Sequence, residues 1–224
     1  MSRASVAVST VLALGLLLTA CGGGEGATEV GAAQQCDGTL SPGAAEALER
    51  VMGAKTFQAA EGSGLRRTAQ DLAEDHAKGD LHGQHPAMCE VRHQSDRPLL
   101  TVDFHLYGED DLYDTGKGAK APGRHLYAMG REAVVDDRSA SLFVQCSSPE
   151  LKGSERKPAP IEGFLRFSKA PSEELPPNTP ATREAYLTVL HSVTLAVVKE
   201  LGCENNAGLP ERPVLTEKKW RGER

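Results

Sequence analysis

The 224-residue sequence has few aromatic residues, no excess of basic residues and no apolar run long enough to cross a bilayer. Aromatic side chains make up 4% of the chain and include one tryptophan, which weakens the case for a carbohydrate-binding surface built from exposed rings. The net charge is −6 at pH 7. Neither a nucleic-acid partner nor a polybasic membrane-binding face is therefore expected.

The N-terminal 20 residues contain one basic residue and no acidic residue, and residues 6–18 form an apolar run. A transmembrane helix is the alternative interpretation, but it needs roughly 20 apolar residues, and this run is shorter. The pattern is typical of a secretory signal peptide. We therefore expect residues 1–20 to be absent from the mature protein.

The end of this segment reads Leu18-Thr19-Ala20-Cys21. It resembles a lipobox, in which a leucine and two small residues precede a cysteine. The resemblance implies cleavage just before Cys21 and attachment of a diacylglyceryl group and palmitate to this residue. Because two acyl chains hold a protein stably on a membrane, the predicted location is the extracytoplasmic face of the cell membrane.

The rest of the chain divides by composition into three parts. Residues 21–35 are rich in glycine and alanine and predict a flexible tether. Residues 36–204 are long enough for one globular domain. Residues 205–224 are polar and charged and predict a frayed tail, with Trp220 as its one large apolar residue.

Four cysteines remain once Cys21 is assigned to the lipid: Cys36, Cys89, Cys146 and Cys203. An even number of cysteines in an exported domain predicts two disulfides, and no two of them have the close spacing of zinc ligands. Three pairings are possible. We favour Cys36–Cys89 with Cys146–Cys203, because each bridge then ties a helix end to a nearby strand within one half of the chain.

Helical spacing and end signals predict three helices. The first follows Ser41-Pro42 and ends at Gly53, the second covers residues 65–78, and the third begins at Pro180 and ends near Gly202. Alternation of apolar and polar residues predicts strands over 89–91, 101–107, 133–135, 141–146 and 161–167. The predicted fold class is α+β: an antiparallel sheet of about five strands, two N-terminal helices, and a long C-terminal helix packed on the sheet.

The first two predicted strands can form a hairpin that turns at Asp96-Arg97. Matching their apolar faces places Cys89 opposite Phe104 and Val91 opposite Val102. The same register places Met88 opposite His105 and Glu90 opposite Asp103. The two facing carboxylates need a cation, which Arg92 can supply; the alternative is a small acidic site in which His105 transfers protons.

Histidines and carboxylates cluster between residues 75 and 85. His76, His82 and His85 lie there with Asp75 and Asp80, and zinc and copper bind both kinds of side chain. The competing interpretation is one histidine at the rim of a helix and two solvated loop histidines, because a metal site needs convergent ligands. We assign no cofactor and no catalytic residue, since no nucleophile–base motif is present.

One further pattern spans the N-terminal half of the chain. It consists of Cys36, Leu40-Ser41-Pro42, Ala45, Leu48, Gly53 and Cys89-Glu90-Val91. This pattern resembles small secreted actinobacterial lipoproteins of unknown function, in which a Cys-x-Trp strand stands where this chain has Cys89-Glu90-Val91. The resemblance implies an extracytoplasmic lipoprotein with a disulfide in its N-terminal half, and it implies no chemistry.

Two functions of different classes follow from the sequence. The favoured one is a non-catalytic domain that binds a small ligand or an envelope protein at the membrane. The alternative is a metal- or carboxylate-dependent envelope enzyme that uses the region of His76, His82 and His85.

Overall fold

Nine strands and three helices make up the part of the chain that the computed structural model describes, which is residues 28–59, 61–93, 99–116, 121–168 and 176–222. The predicted signal peptide, Cys21 and the turn at Asp96-Arg97 lie outside these residues. The helices are α1 (Pro42–Met52), α2 (Gly64–Lys78) and α3 (Pro180–Glu200). The strands are β1 (Glu29–Gly31), β2 (Thr56–Gln58), β3 (Cys89–Val91), β4 (Leu100–Leu106), β5 (His125–Tyr127), β6 (Glu132–Val135), β7 (Ser139–Cys146), β8 (Ala159–Phe167) and β9 (Glu217–Lys218).

Helix ends lie where the sequence signals place them. The Ser41 hydroxyl accepts a hydrogen bond from the Ala44 amide, and the Thr179 hydroxyl accepts one from the Thr182 amide. Both residues satisfy backbone donors that the first helical turn leaves without partners. Gly53 closes α1 in the left-handed conformation, with φ of 64°, which costs glycine little because it has no Cβ.

Seven of the strands form one antiparallel sheet in the order β3-β4-β8-β7-β6-β5-β9, and β1 pairs with β2 in a separate two-stranded sheet. The α+β class is therefore confirmed, and the estimate of about five strands is too low. The strands that the sequence missed include β5 and β9, which have three and two residues. The two residues of β9 are too few for an alternating pattern to be recognisable.

The core lies between the helices and one face of the sheet. Along β4 every second residue is buried on this face, ending at Phe104 and Leu106. Helix α3 crosses the sheet so closely that a Cβ on Gly163 of β8 would lie 2.7 Å from the Thr194 hydroxyl oxygen. Glycine at this position therefore lets the long helix approach the central strands.

The register of β3 on β4 differs from the predicted one. Cys89 lies opposite Val102 and Val91 lies opposite Leu100, a shift of two residues from the tight hairpin. An even shift keeps each side chain on its face of the sheet, so the apolar faces still match. The register therefore differs from the predicted one, and the predicted turn itself lies outside the described residues.

The folded unit extends beyond both predicted boundaries. In the predicted tether, β1 begins at Glu29, and the fully buried Gln35 donates from Nε2 to the Gln58 carbonyl at 2.9 Å. In the predicted tail, β9 pairs with β5, and Trp220 is 8% exposed and packs in a cluster with Leu126 and Val134. Within the described residues no helix has the length and apolar character to cross a membrane.

Candidate functional site

Both disulfides that the sequence analysis favours are present. Cys36 is bonded to Cys89 and ties the segment before α1 to β3; Cys146 is bonded to Cys203 and ties the end of β7 to the residues after α3. All four cysteines are thereby committed to structure. They offer neither a thiolate nucleophile nor a metal ligand.

The three histidines proposed as metal ligands do not converge. His85 contacts carboxylates of α2, His82 contacts Asp111 and the ring of His105, and His76 lines a cavity at the end of β4. No group of three or more histidine, cysteine, aspartate or glutamate side chains in the described part of the chain has the geometry to hold a metal ion. In the described part of the chain these residues do not form the metal site that the sequence left open as an alternative.

His85 lies between two buried carboxylates one helical turn apart. Its Nε2 donates to Asp75 Oδ2 at 2.8 Å, and its Nδ1 lies 3.6 Å from Asp71 Oδ2. The side chain of Asp71 is 2% exposed and that of Asp75 is 4% exposed. Arg67 also contacts Asp71, at 2.7 Å. The cluster holds the loop that contains His85 against α2, which is a structural role.

The sheet face opposite the helices carries a second histidine–carboxylate pair. His105 Nε2 lies 2.9 Å from Glu162 Oε2, directly across the β4–β8 pair. The sequence did not identify Glu162 as this partner. Glu162 lies in the predicted strand over 161–167, where it alternates with apolar residues. Only the order of the strands in the sheet, which places β8 beside β4, brings it to His105.

The predicted Glu90–Asp103 pair is not formed as proposed. Glu90 lies opposite Thr101, and Asp103 lies opposite Phe164 of β8. Arg92 donates to Glu90 at 2.8 Å and contacts Glu61 at 3.0 Å. The arginine thus neutralises Glu90, the simpler of the two interpretations that the sequence allowed.

The environment of this sheet face raises the pKa of two side chains, His105 and Asp103. Burial disfavours the charged form of His105, but the hydrogen bond to Glu162 and the negative charges around it outweigh burial, so its pKa is raised. Burial also raises the pKa of Asp103, against the opposing influence of Arg166 and His105.

Carboxylates of the loop after β4 and of the neighbouring strand β6 hold that loop in place. Asp111 accepts a hydrogen bond from the Gly108 amide at 2.6 Å. Glu132 accepts the amides of Tyr113 and Asp114 at 2.7 and 3.1 Å. Arg131 donates to both carboxylate oxygens of Glu109. These interactions order the loop that forms one wall of the cavity beside it.

The cavity that His76 lines has a volume of about 460 Å³ and lies at the end of β4. It is bounded by the loop after α2, the loop after β4 and the loop between β7 and β8. Its lining is mainly apolar and includes Leu81, Leu106, Pro158 and Pro160. The polar groups at its rim include Lys152 and Lys157. Its volume lies in the range of small-ligand pockets, about 300–1,000 Å³.

No protein-family model, curated protein or solved structure matches this chain.

The His105–Glu162 pair predicts a pH-dependent contribution to stability. The folded-state pKa of His105 is raised above the unfolded value of 6.5, so the folded protein binds the proton more tightly. The resulting stabilisation is fully present below about pH 6.5 and is lost as the pH rises through the folded-state pKa. Chemical denaturation of the wild type and His105→Gln at about pH 5.5 and about pH 8.5 measures it.

We expect the difference in unfolding free energy between these two proteins to be larger at the lower pH. Glu162→Gln is the matched variant and removes the same pH dependence from the carboxylate side. A difference that stays constant across the two pH values would contradict the assigned interaction.

Proposed function

We propose that this protein is a lipoprotein anchored through Cys21 to the extracytoplasmic face of the cell membrane, where its domain binds a small ligand or an envelope partner without catalysis. The proposal includes membership of the small secreted actinobacterial lipoproteins that the N-terminal pattern resembles. The glycine-rich segment after Cys21 is the connection between the acyl chains and the domain. One observation carries the proposal: the lipobox is followed by a domain in which all four remaining cysteines form disulfides.

The disulfides support an extracytoplasmic location. Disulfides form and persist in oxidising compartments, whereas cytosolic thiols are kept reduced. The lipobox and the cysteine pairs therefore agree on the compartment, although they are independent features of the sequence.

Binding is favoured over catalysis by what surrounds the polar side chains. Ser63 hydrogen-bonds to Thr68 and to the carbonyls of Pro86 and Ala87, so its hydroxyl supports a turn, and none of these partners is a histidine that could act as a general base. His105 is paired with Glu162 and not with a hydroxyl or thiol nucleophile. The preformed, mainly apolar cavity has the features of a ligand site.

The anchor is tested by metabolic labelling with a palmitate analogue in a bacterial host that acylates lipoproteins. We expect the wild type to incorporate the label and to partition into the detergent phase. The Cys21→Ser variant lacks the acceptor thiol and should do neither. Gly24→Ser is the control, since it introduces the same side chain nearby and keeps the thiol. An unlabelled wild type, or label on Cys21→Ser, would refute the proposed anchor.

A further inference from the structure

The cavity at the end of β4 combines an apolar interior with cationic groups at its rim. The Leu81 side chain reaches it from the loop after α2 and is 44% exposed, although most large apolar side chains of the described residues are buried. Leu106, Pro158 and Pro160 continue the apolar lining. An exposed leucine beside further apolar lining is a typical feature of a ligand-binding groove.

Two lysines provide the charge at the rim. Lys152 and Lys157 are exposed and line the cavity, and Lys157 is close enough to Glu109 to help lower the pKa of that carboxyl group. Among the described residues that line the cavity the one carboxylate is Glu109, which accepts hydrogen bonds from Nη1 and Nη2 of Arg131 at 2.6 and 2.5 Å. The charge left for a ligand is therefore positive, and it complements an anionic group.

The wall that carries the lysines is held in place before any ligand binds. The fully buried Ser154 accepts from the Ser148 amide at 2.8 Å and donates back to the Ser148 carbonyl at 2.8 Å. Leu151, which directly precedes Lys152, is 1% exposed. The Cys146–Cys203 disulfide lies two residues before Ser148. A preorganised wall lowers the entropic cost of binding.

The opposite wall is also fixed. The His82 amide donates to the Leu106 carbonyl at 3.0 Å, which holds the loop containing Leu81 against the end of β4. A Cβ on Gly108 would lie 3.6 Å from the Leu81 Cδ1 atom, so the two loops are in close contact. The Leu81 side chain is thus positioned by backbone hydrogen bonding and by its neighbour.

We propose that this cavity binds an amphipathic anion, in which an apolar chain or ring lies on Leu81, Leu106 and the two prolines and a carboxylate or phosphate group lies between Lys152 and Lys157. This inference rests on the proposed binding function and names the class of ligand. It does not depend on the lipid anchor.

Titration calorimetry with dodecanoate and dodecyl phosphate tests it, on the chain from residue 21 onward with Cys21→Ser, so that no detergent competes for the cavity. We expect one bound molecule of at least one of the two anions. The anion that binds more tightly identifies the head group. Dodecyltrimethylammonium, which has the same chain and the opposite charge, should bind at least about tenfold more weakly.

Variants separate the two parts of the cavity. Lys152→Gln with Lys157→Gln should weaken binding of the anions about tenfold or more, because charged hydrogen bonds to the head group are lost. Leu81→Asn should weaken it by a similar factor through the loss of apolar contact. Lys55→Gln is the control, since Lys55 is exposed and does not line this cavity.

The proposal is overturned if neither anion binds, if the cationic amphiphile binds as tightly as the anions, or if the lysine double variant binds like the Lys55→Gln control. Because every protein in this experiment carries Cys21→Ser, such a failure leaves the result of the palmitate labelling unaffected. The two proposals can therefore fail independently.

Discussion

Replacing Cys146 and Cys203 together by alanine is expected to lower the free energy of unfolding by about 4 kcal/mol. The disulfide joins residues 57 positions apart, and closing a loop of that length restricts the unfolded chain by about this amount. The Cys36–Cys89 bridge spans 53 residues, so the corresponding double variant should lose nearly the same stability. Urea denaturation of the three oxidised proteins measures both differences.

The hydrogen bond beside the Cys146–Cys203 bridge and the effect of a reducing agent provide further tests of this prediction. Two residues from each cysteine of the Cys146–Cys203 bridge, the Ser148 hydroxyl donates to the Leu201 carbonyl, and that contact remains after the bridge is removed. A reducing agent should bring the wild type to the combined loss of the two double variants. It should leave a variant that lacks all four cysteines unchanged. A loss below about 1 kcal/mol for either bridge would contradict the chain-entropy account.

The sequence carries enough information for the elements whose signals are local. Helix α1 is specified by a capping serine, a following proline and a terminal glycine, and each of these acts on its own first or last turn. Strand β4 is specified by seven residues of strict alternation. Both are recognisable without any knowledge of the rest of the fold.

Contacts that depend on the order of the strands in the sheet could not be predicted from the sequence. His105 meets Glu162 because β8 lies between β4 and β7, and no local pattern encodes that order. Strand β9 has two residues and pairs with β5 only because the tail returns to the sheet edge, where Trp220 is buried. The predicted frayed tail was therefore wrong for a reason that lies in tertiary packing.

The same limit explains the histidine region. Spacing between residues 75 and 85 does not reveal which way each ring turns, and the structure turns His82 and His85 to carboxylates on different elements. Residue type identified a region rich in interactions. It did not show whether these histidines bind a metal or contact carboxylates, because an imidazole that could bind a metal can equally hydrogen-bond to an aspartate.

His85→Ala is expected to lower the free energy of unfolding by about 3 kcal/mol. The substitution leaves the buried carboxylate of Asp75 without the imidazole that lies 2.8 Å away. Leaving a buried group without its hydrogen-bond donor costs about 1–3 kcal/mol, and more when that group is charged. We expect no more than about 3 kcal/mol, because the His85 side chain is 25% exposed and water can partly solvate the carboxylate that remains. Urea denaturation at neutral pH measures the change.

His125→Ala is the matched control. His125 Nδ1 also lies close to a carboxylate, Glu217 Oε1 at 2.6 Å, but that carboxylate is 50% exposed, and an exposed pair contributes about 1 kcal/mol or less. Adding Asp75→Asn to His85→Ala removes the uncompensated charge and should recover part of the lost stability. Equal losses for His85→Ala and His125→Ala would show that burial of the aspartates does not strengthen the pair. The two pairs differ physically because the side chains of Asp71 and Asp75 are only 2% and 4% exposed. His85 is therefore a structural residue of the loop beside α2.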